Sequence, residues 1–220
     1  MPFITLEGGE GAGKSTQIKL LAQALEQAGL KALTTREPGG SVGAEAIRKL
    51  VVEGAADRWD PVTESLLFMT ARYDHLETKI KPALARGEWV VCDRFFDSTY
   101  IYQGIAKGVS TEWLNQLYSL LYGNTKPDLT LLLDIDPKEG LSRANARNSG
   151  AETRFENMDL SFHQKLRDGF LKRAKEEPAR IAVIDAAASI ETIHKHIVEA
   201  VNQRFQLSLR ATNGSAAIQP

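Results

Sequence analysis

The chain has 220 residues, of which 43% are hydrophobic and 25% charged, and 27 Lys and Arg against 28 Asp and Glu leave a net charge of −1. These values fit a globular chain long enough to bury its own core and exclude wholesale disorder, collagen-like repeats and coiled coil. The charge balance excludes a general nucleic-acid or membrane-surface binder but allows a local basic pocket for a small anion.

Apolar stretches of strand length alternate with amphipathic stretches of helix length. Phe3-Ile4-Thr5-Leu6 reads as a strand. Lys14 to Ala28 follows as a helix with Ile18, Leu21, Leu25 and Ala28 on one face and Gly29 as its stop. Lys31 to Thr35 is a short strand, Glu37-Pro38-Gly39-Gly40 a turn and Val42 to Val52 a helix. Pro61 to Arg86 is a long helical pattern that Pro82 should kink. Trp89 to Asp93 is a third strand and Thr111 to Tyr122 a helix. Leu129 to Asp134 is a nearly unbroken apolar run, suited to a strand buried on both faces, and Pro137 to Ala146 is a helix with proline at its start. Arg147 to Thr153 reads as a mobile loop, Leu160 to Lys175 as a helix, Arg180 to Ile184 as a fifth strand and Ile190 to Phe205 as a closing helix. The small, polar stretch 208–220 reads as a disordered tail.

Strand-then-helix repetition predicts an α/β fold of three layers: a five-stranded parallel sheet with helices on both faces. One domain over 1–207 accounts for the pattern, with a lid at about 143–157. Ligands in such sheets sit at the carboxyl ends of the strands. Cys92 is the single cysteine, so no intramolecular disulfide forms, and the histidines lack metal-ligand spacing. The N-terminus lacks the basic start and apolar run of a signal peptide, and the run Leu129 to Ile135 is far below the ~20 residues needed to span a bilayer. The expectation is a cytoplasmic protein with no membrane and no nucleic-acid partner.

Gly8-Gly9-Glu10-Gly11-Ala12-Gly13-Lys14-Ser15 fits G-x-x-x-x-G-K-[ST], between a strand and a helix as that loop requires. Backbone N–H groups of such a loop wrap a phosphate chain, and the helix dipole adds to the attraction. With Thr16, these residues are the expected ATP site: Lys14 reaches the β- and γ-phosphates, and Ser15 ligates Mg²⁺. Asp93 closes the third strand, where a carboxylate can hold the same Mg²⁺, and Arg94 beside it suits a second phosphate; after that strand and with the phosphate loop, this is favoured over a surface pair that caps the strand. Arg143 and Arg147 share a helix face, and Arg154 follows the loop. Such cations suit a lid that closes over ATP, or an ordinary solvated basic face.

Further motifs narrow the reading. The stretches Phe3 to Thr16, Thr-Arg-Glu-Pro-Gly-Gly at 35–40, Asp-Arg-Phe at 93–95, Ser-Thr-Tyr-Ile-Tyr-Gln-Gly at 98–104 and Pro-Lys-Glu-Gly-Leu-Ser-Arg-Ala at 137–144 together resemble the thymidylate kinases, P-loop enzymes that phosphorylate dTMP to dTDP with MgATP. The resemblance runs from about Phe3 to Phe205. It implies that Phe68 stacks on thymine and that Arg72, one turn on, hydrogen-bonds a thymine carbonyl. It implies that Ser98, Thr99 and Gln103 line the base and phosphate site and that Tyr102 crowds the sugar 2′ position. Arg48 and Arg94 would hold the dTMP phosphate, with Glu37 near the phosphates and their Mg²⁺ shell. Pro38 would be cis, and the enzyme a homodimer through helices flanking 61–86.

This chain departs from parts of the family in informative ways. Some members carry an arginine inside the phosphate loop, where this chain has Gly11. Bacterial-type members supply it from the lid, which suits Arg143, Arg147 and Arg154, with Arg154 the leading candidate although Thr153 replaces the usual Asp before it. Glu10 stands where others place an Asp near the sugar 3′-hydroxyl. The expected reaction is direct in-line phosphoryl transfer, in dTTP synthesis, to an acceptor already anionic at pH 7, so no histidine base is needed and His75, His163, His194 and His196 read as surface or helix residues. The alternatives are another P-loop nucleoside or nucleotide kinase with a different acceptor, or a nucleotide-binding switch. The second lacks a guanine-reading motif: Asn124 to Asp128 has the wrong spacing.

Overall fold

The computed structural model describes residues 1–55, 57–146 and 154–212. Strand β1 (Phe3–Gly8) leads into helix α1 (Lys14–Gln27), followed by β2 (Ala32–Arg36), α2 (Val42–Val52) and α3 (Pro61–His75). Then come α4 (Lys81–Ala85), β3 (Trp89–Asp93), α5 (Phe96–Thr99), α6 (Thr111–Tyr122), β4 (Leu129–Asp134), α7 (Pro137–Ala146), α8 (Leu160–Glu176), β5 (Ile181–Asp185) and α9 (Ile190–Phe205). The strands form one parallel sheet in the order β2-β3-β1-β4-β5, as the alternating pattern predicts.

The element starts follow local chemistry. Ser41, Ser110, Asp159 and Ser189 accept hydrogen bonds from the first turns of α2, α6, α8 and α9, and Asp60 does so for α3, whose first residue is Pro61. On one face of the sheet Ile18, Leu21 and Leu25 of α1 pack with Ile193, Ile197 and Val201 of α9. On the other, Met69, Leu76, Ile80 and Leu114 pack on Phe3, Val90 and Cys92. A third cluster joins Phe162, Leu166 and Phe170 of α8 to Ile101 and Tyr102. Strand β1 is buried at every position. Its polar residues are therefore paired: the Thr5 and Thr130 hydroxyls bond at 2.8 Å across β1 and β4.

The long helical pattern is broken, but not as a simple kink at Pro82. The chain widens into a π-helical segment over Leu76–Ile80 before α4 begins. Pro82 has no N–H to donate and its ring crowds the carbonyl one turn back, so the preceding turn opens instead. A second π segment, Tyr100–Ala106, continues α5 in a region where periodicity indicated no element. The tail is also more ordered than its composition suggests. Leu209 is buried in the main core, its N–H and C=O are both bonded to the Asn202 side chain, and the Thr212 N–H donates to His194 Nε2. Buried Leu209, the Asn202 side chain and the Thr212–His194 bonds hold 208–212 against α9; 213–220 lie outside the described residues. Among the described residues no helix is long and apolar enough to cross a membrane.

Candidate active site

Strand β1 is central, and its carboxyl end opens between β3 and β4. The phosphate-binding loop emerges there and runs into α1. Gly11 lies at φ +70°, and a Cβ on it would stand 1.8 Å from the Gly140 carbonyl oxygen. Position 11 has no room for any side chain, which explains why no arginine occupies this loop. Lys14 folds along the loop, its Nζ donating to the carbonyls of Gly9 at 2.9 Å and Gly8 at 3.2 Å. Burial, with Arg94 adding positive charge, pushes the Lys14 ammonium below its ordinary range. Neighbouring strand β3 brings Asp93 beside Leu6, and Ser15 Oγ donates to Asp93 Oδ2 at 3.3 Å. A hydroxyl and a carboxylate converging at the loop are hard oxygen donors, the set that suits Mg²⁺.

A cavity of about 380 Å³ runs from this loop to the helices over the sheet. Glu10, Lys14, Ser15 and Asp93 line one end; Arg48, Phe68, Arg72, Thr99, Tyr102 and Gln103 line the other. Ser98, Arg94, Glu37 and Pro38 lie between. Most of the residues that the motifs single out thus line one space; Arg143 and Arg154 do not.

Several of the polar side chains that line the cavity are held by carboxylates. Glu7, fully buried on β1, accepts from the N–H groups of Phe95 and Ser98 and from the Ser98 hydroxyl at 2.6 Å. Arg94 donates to Ser98 Oγ and the Gly8 carbonyl, both at 3.0 Å, and to Glu10 Oε1 at 2.8 Å. Its backbone is left-handed at φ +65°, unusual for a residue with a side chain and a mark of local strain at a functional turn. Tyr102 donates its hydroxyl to the same Glu10 oxygen at 2.8 Å and lies under the Arg94 guanidinium. Arg72 donates from Nε to Glu37 at 2.6 Å and from Nη1 to Thr99 Oγ1 at 3.1 Å. His75 Nδ1 donates to the other Glu37 oxygen at 3.0 Å, since a carboxylate only accepts. Glu37 therefore orients Arg72, besides lining the cavity, and the Glu37–Pro38 peptide is cis as expected. Arg48 Nη1 donates to the Pro38 carbonyl at 2.6 Å.

Charge sets these groups apart. Burial raises Glu10, but Arg94, Lys14 and the Tyr102 hydroxyl outweigh it and hold the carboxyl at about 2. For Glu7, burial and then Asp97 prevail over Arg94, and the carboxyl rises to about 7. Burial, and then nearby carboxylates including Glu37, pushes the Cys92 thiol well up.

The arginines beyond α7 are placed less simply than their spacing suggests. Arg143 donates to the Ala186 carbonyl at 2.9 Å and pairs with Glu139. Arg154 is buried, paired with Glu64 at 2.6 Å, and donates to the carbonyls of Val51 and Ala55. Arg147, and 147–153 as a whole, lie outside the described residues. The next residues, Phe155 and Glu156, do line the cavity: Phe155 faces Phe68 at 6.3 Å between ring centroids and meets Tyr102 edge-on at 5.4 Å. Phe155, Glu7 and Glu64 are site residues the sequence reading missed. For Glu7 the available signal was its place in a largely apolar strand; Glu64, between Thr63 and Ser65 in the first turn of a helix, carried none. All the histidines are on helices, but His75, His163 and His194 are buried.

A glycine-rich phosphate loop on the central strand, a carboxylate opposite its serine, and a cavity reaching from them to an arginine- and aromatic-lined end define a P-loop nucleotide kinase. The thymidylate kinase family profile matches residues 6–197. Thymidylate kinases of Caulobacter vibrioides and a Bradyrhizobium species are 53% and 50% identical over 93% and 96% of this chain and 98% and 94% of their own. The crystal structure of thymidylate kinase from Ehrlichia chaffeensis superposes with a TM-score of 0.75 at 32% identity, covering 91% of this chain and 98% of that one. The chain belongs to the thymidylate kinase family, enzymes that phosphorylate dTMP to dTDP with ATP.

Proposed function

We propose that this chain transfers the γ-phosphoryl group of ATP in line to a phosphate oxygen of dTMP, releasing ADP and dTDP for dTTP synthesis, in the cytoplasm. The observation that carries this reading is the single cavity with Lys14 and Ser15 at one end and Phe68, Arg72 and Gln103 at the other. A donor bound at the loop and an acceptor stacked on Phe68 would meet near Arg94.

In this reading Gly8 to Thr16 wrap the donor phosphates, with Lys14 neutralising the charge that shifts toward the β–γ bridge. Arg94 and Arg48 hold the acceptor phosphate. Phe68 stacks on the base, Arg72, Thr99 and Gln103 read its edge, and Glu10 with Tyr102 receives the sugar. Ser15 and Asp93 would hold Mg²⁺, which when bound supplies positive charge to the donor phosphates. The acceptor needs no general base, because a phosphate monoester's second pKa of about 6 leaves it anionic at pH 7. Catalysis is then positioning and charge neutralisation. A lid arginine completes the charge on the donor. Arg154 is the leading candidate and Arg143 and Arg147 are the others; in this structure Arg154 is held by Glu64 and by the Val51 and Ala55 carbonyls.

Two copies would associate through α3, which exposes Val62, Leu66 and Tyr73 nearly half. At this spacing their side chains lie within about 40° of one another around the helix, an apolar stripe suited to a second copy.

Replacing Lys14 by Ala tests the donor site. We expect kcat to fall by at least about 100-fold, with dTMP binding and the circular dichroism spectrum retained. Near-wild-type turnover would remove Lys14 from the reaction.

A further inference from the structure

Glu64 lies in the first turn of α3, where a carboxylate normally faces water, yet its side chain is fully buried. Its Oε1 accepts from Gln103 Nε2 and from Lys107 Nζ, both at 2.8 Å. Its Oε2 accepts from Lys107 at 3.0 Å and pairs with Arg154 Nη2 at 2.6 Å. Every neighbour it meets here is a donor. Gln103 itself is 1% exposed and lines the cavity beside Phe68, Arg72 and Thr99.

We propose that Glu64 is a positioning residue that fixes the orientation of the Gln103 amide, so that the pocket selects a pyrimidine whose N3 carries a hydrogen. This rests on the reading of the far end of the cavity as the dTMP base site. A carboxylate between two cations can only accept, so the Gln103 NH₂ must face it. The polar atom that Gln103 then offers the base is its carbonyl oxygen. Arg72, which lines the same cavity and reaches Thr99, one turn before Gln103, can only donate. A donor next to an acceptor complements the C4 carbonyl and N3–H of thymine. Cytosine presents the inverse pair, a C4 amino group and an unprotonated N3, and would leave buried groups on both sides unpaired. Thymine and uracil are alike at this edge, so Glu64 separates 4-oxo from 4-amino pyrimidines and not thymine from uracil.

The neutral variant Glu64→Gln makes the argument testable. Arg154 and Lys107 remain donors, and the closest contact, to Arg154, keeps the new side chain's oxygen at the Oε2 place. Its NH₂ then occupies the Oε1 place and faces Gln103. The Gln103 amide turns over to accept from it, and its own NH₂ now faces the base. Glu64→Asp, by contrast, is shorter but still only accepts.

The experiment is the ratio of kcat/KM for dTMP to that for dCMP in the wild type, Glu64→Gln and Glu64→Asp. The proposal expects the ratio to fall at least about tenfold in Glu64→Gln. In Glu64→Asp it should stay within about threefold of wild type even though KM for dTMP rises, because the donor–acceptor pattern at the base is kept. A merely structural Glu64 would reduce the active fraction, which cancels in the ratio; an unchanged ratio in Glu64→Gln overturns the proposal. A wild type that does not prefer dTMP over dCMP overturns the base-site reading as well, which separates the two failures. Should Glu64→Gln not fold, ¹⁵N spectra of the wild type decide. The Gln103 side-chain NH₂ is expected to be protected from solvent exchange with and without dTMP. Protection that arises only when dTMP is added contradicts the assignment.

Discussion

Glu7 and Glu10 lie three residues apart on either side of Gly8, and their environments drive them in opposite directions. Glu10 has Arg94, Lys14 and Tyr102 around it and is held down at about 2, whereas Glu7 is raised to about 7 by burial and by Asp97. For Glu10 the folded state releases its proton more readily than the unfolded chain, where a glutamate titrates near 4.5. Its contribution is therefore complete above pH 4.5 and is lost as pH falls toward 2. At pH 7 Glu10→Gln should be less stable than wild type by on the order of 2–3 kcal/mol, and the gap should close by pH 2. Urea unfolding at several pH values checks this; a gap that does not change with pH would mean that Glu10 contributes packing rather than charge. The raised Glu7 has the opposite sign: its contribution is present below pH 4.5 and is lost as pH rises through about 7. Neither value was legible in the sequence. The Glu10 position was identified, but what surrounds it comes from residues 84 and 92 positions away.

At the scale of elements, local signals carried furthest. The helices at Thr111–Tyr122, Pro137–Ala146 and Ile190–Phe205 and the strand at Leu129–Asp134 have the boundaries that caps, prolines and apolar runs indicate. The π segments at Leu76–Ile80 and Tyr100–Ala106 were not legible. One extra residue in a turn leaves composition and approximate periodicity unchanged, and only the register against a partner reveals it. The second of these matters for function, because it carries Tyr102 and Gln103 to the cavity. Glu64 escaped notice for a related reason. A glutamate in the first turn of a helix is ordinary surface chemistry, and its burial depends on Gln103 and Lys107, 39 and 43 positions on. The face of α3 opposite the cavity carries its own consequence. If Val62, Leu66 and Tyr73 meet a second copy, Leu66→Glu should convert a dimer into a monomer in sedimentation analysis, because burying an unpaired charge there is costly. A wild-type monomer, or a Leu66→Glu dimer of unchanged stability, would place the interface elsewhere or remove it.

At the scale of the whole molecule, the parallel sheet brings motifs from distant parts of the chain to one edge. The loop after β1, Asp93 and Arg94 after β3, and the turn after β2 all lie at carboxyl strand ends, and α3 and the segment after α5 close over them. This is why the place of the candidate site was legible: the fold follows from alternation, and the motifs follow the strands. What the alternation does not give is the layer of carboxylates beneath the site, which arises only when helices pack. In the proposed function one cavity joins an ATP phosphate site to a site for dTMP. The most direct test is ADP release from MgATP with dTMP, dUMP, the ribose analogue of dTMP, dCMP, AMP and GMP offered in turn. ADP release is expected to depend strongly on dTMP, with weaker use of dUMP and little turnover with the ribose sugar, which Tyr102 would crowd. Preference for another acceptor, or ATP hydrolysis indifferent to all of them, would contradict it.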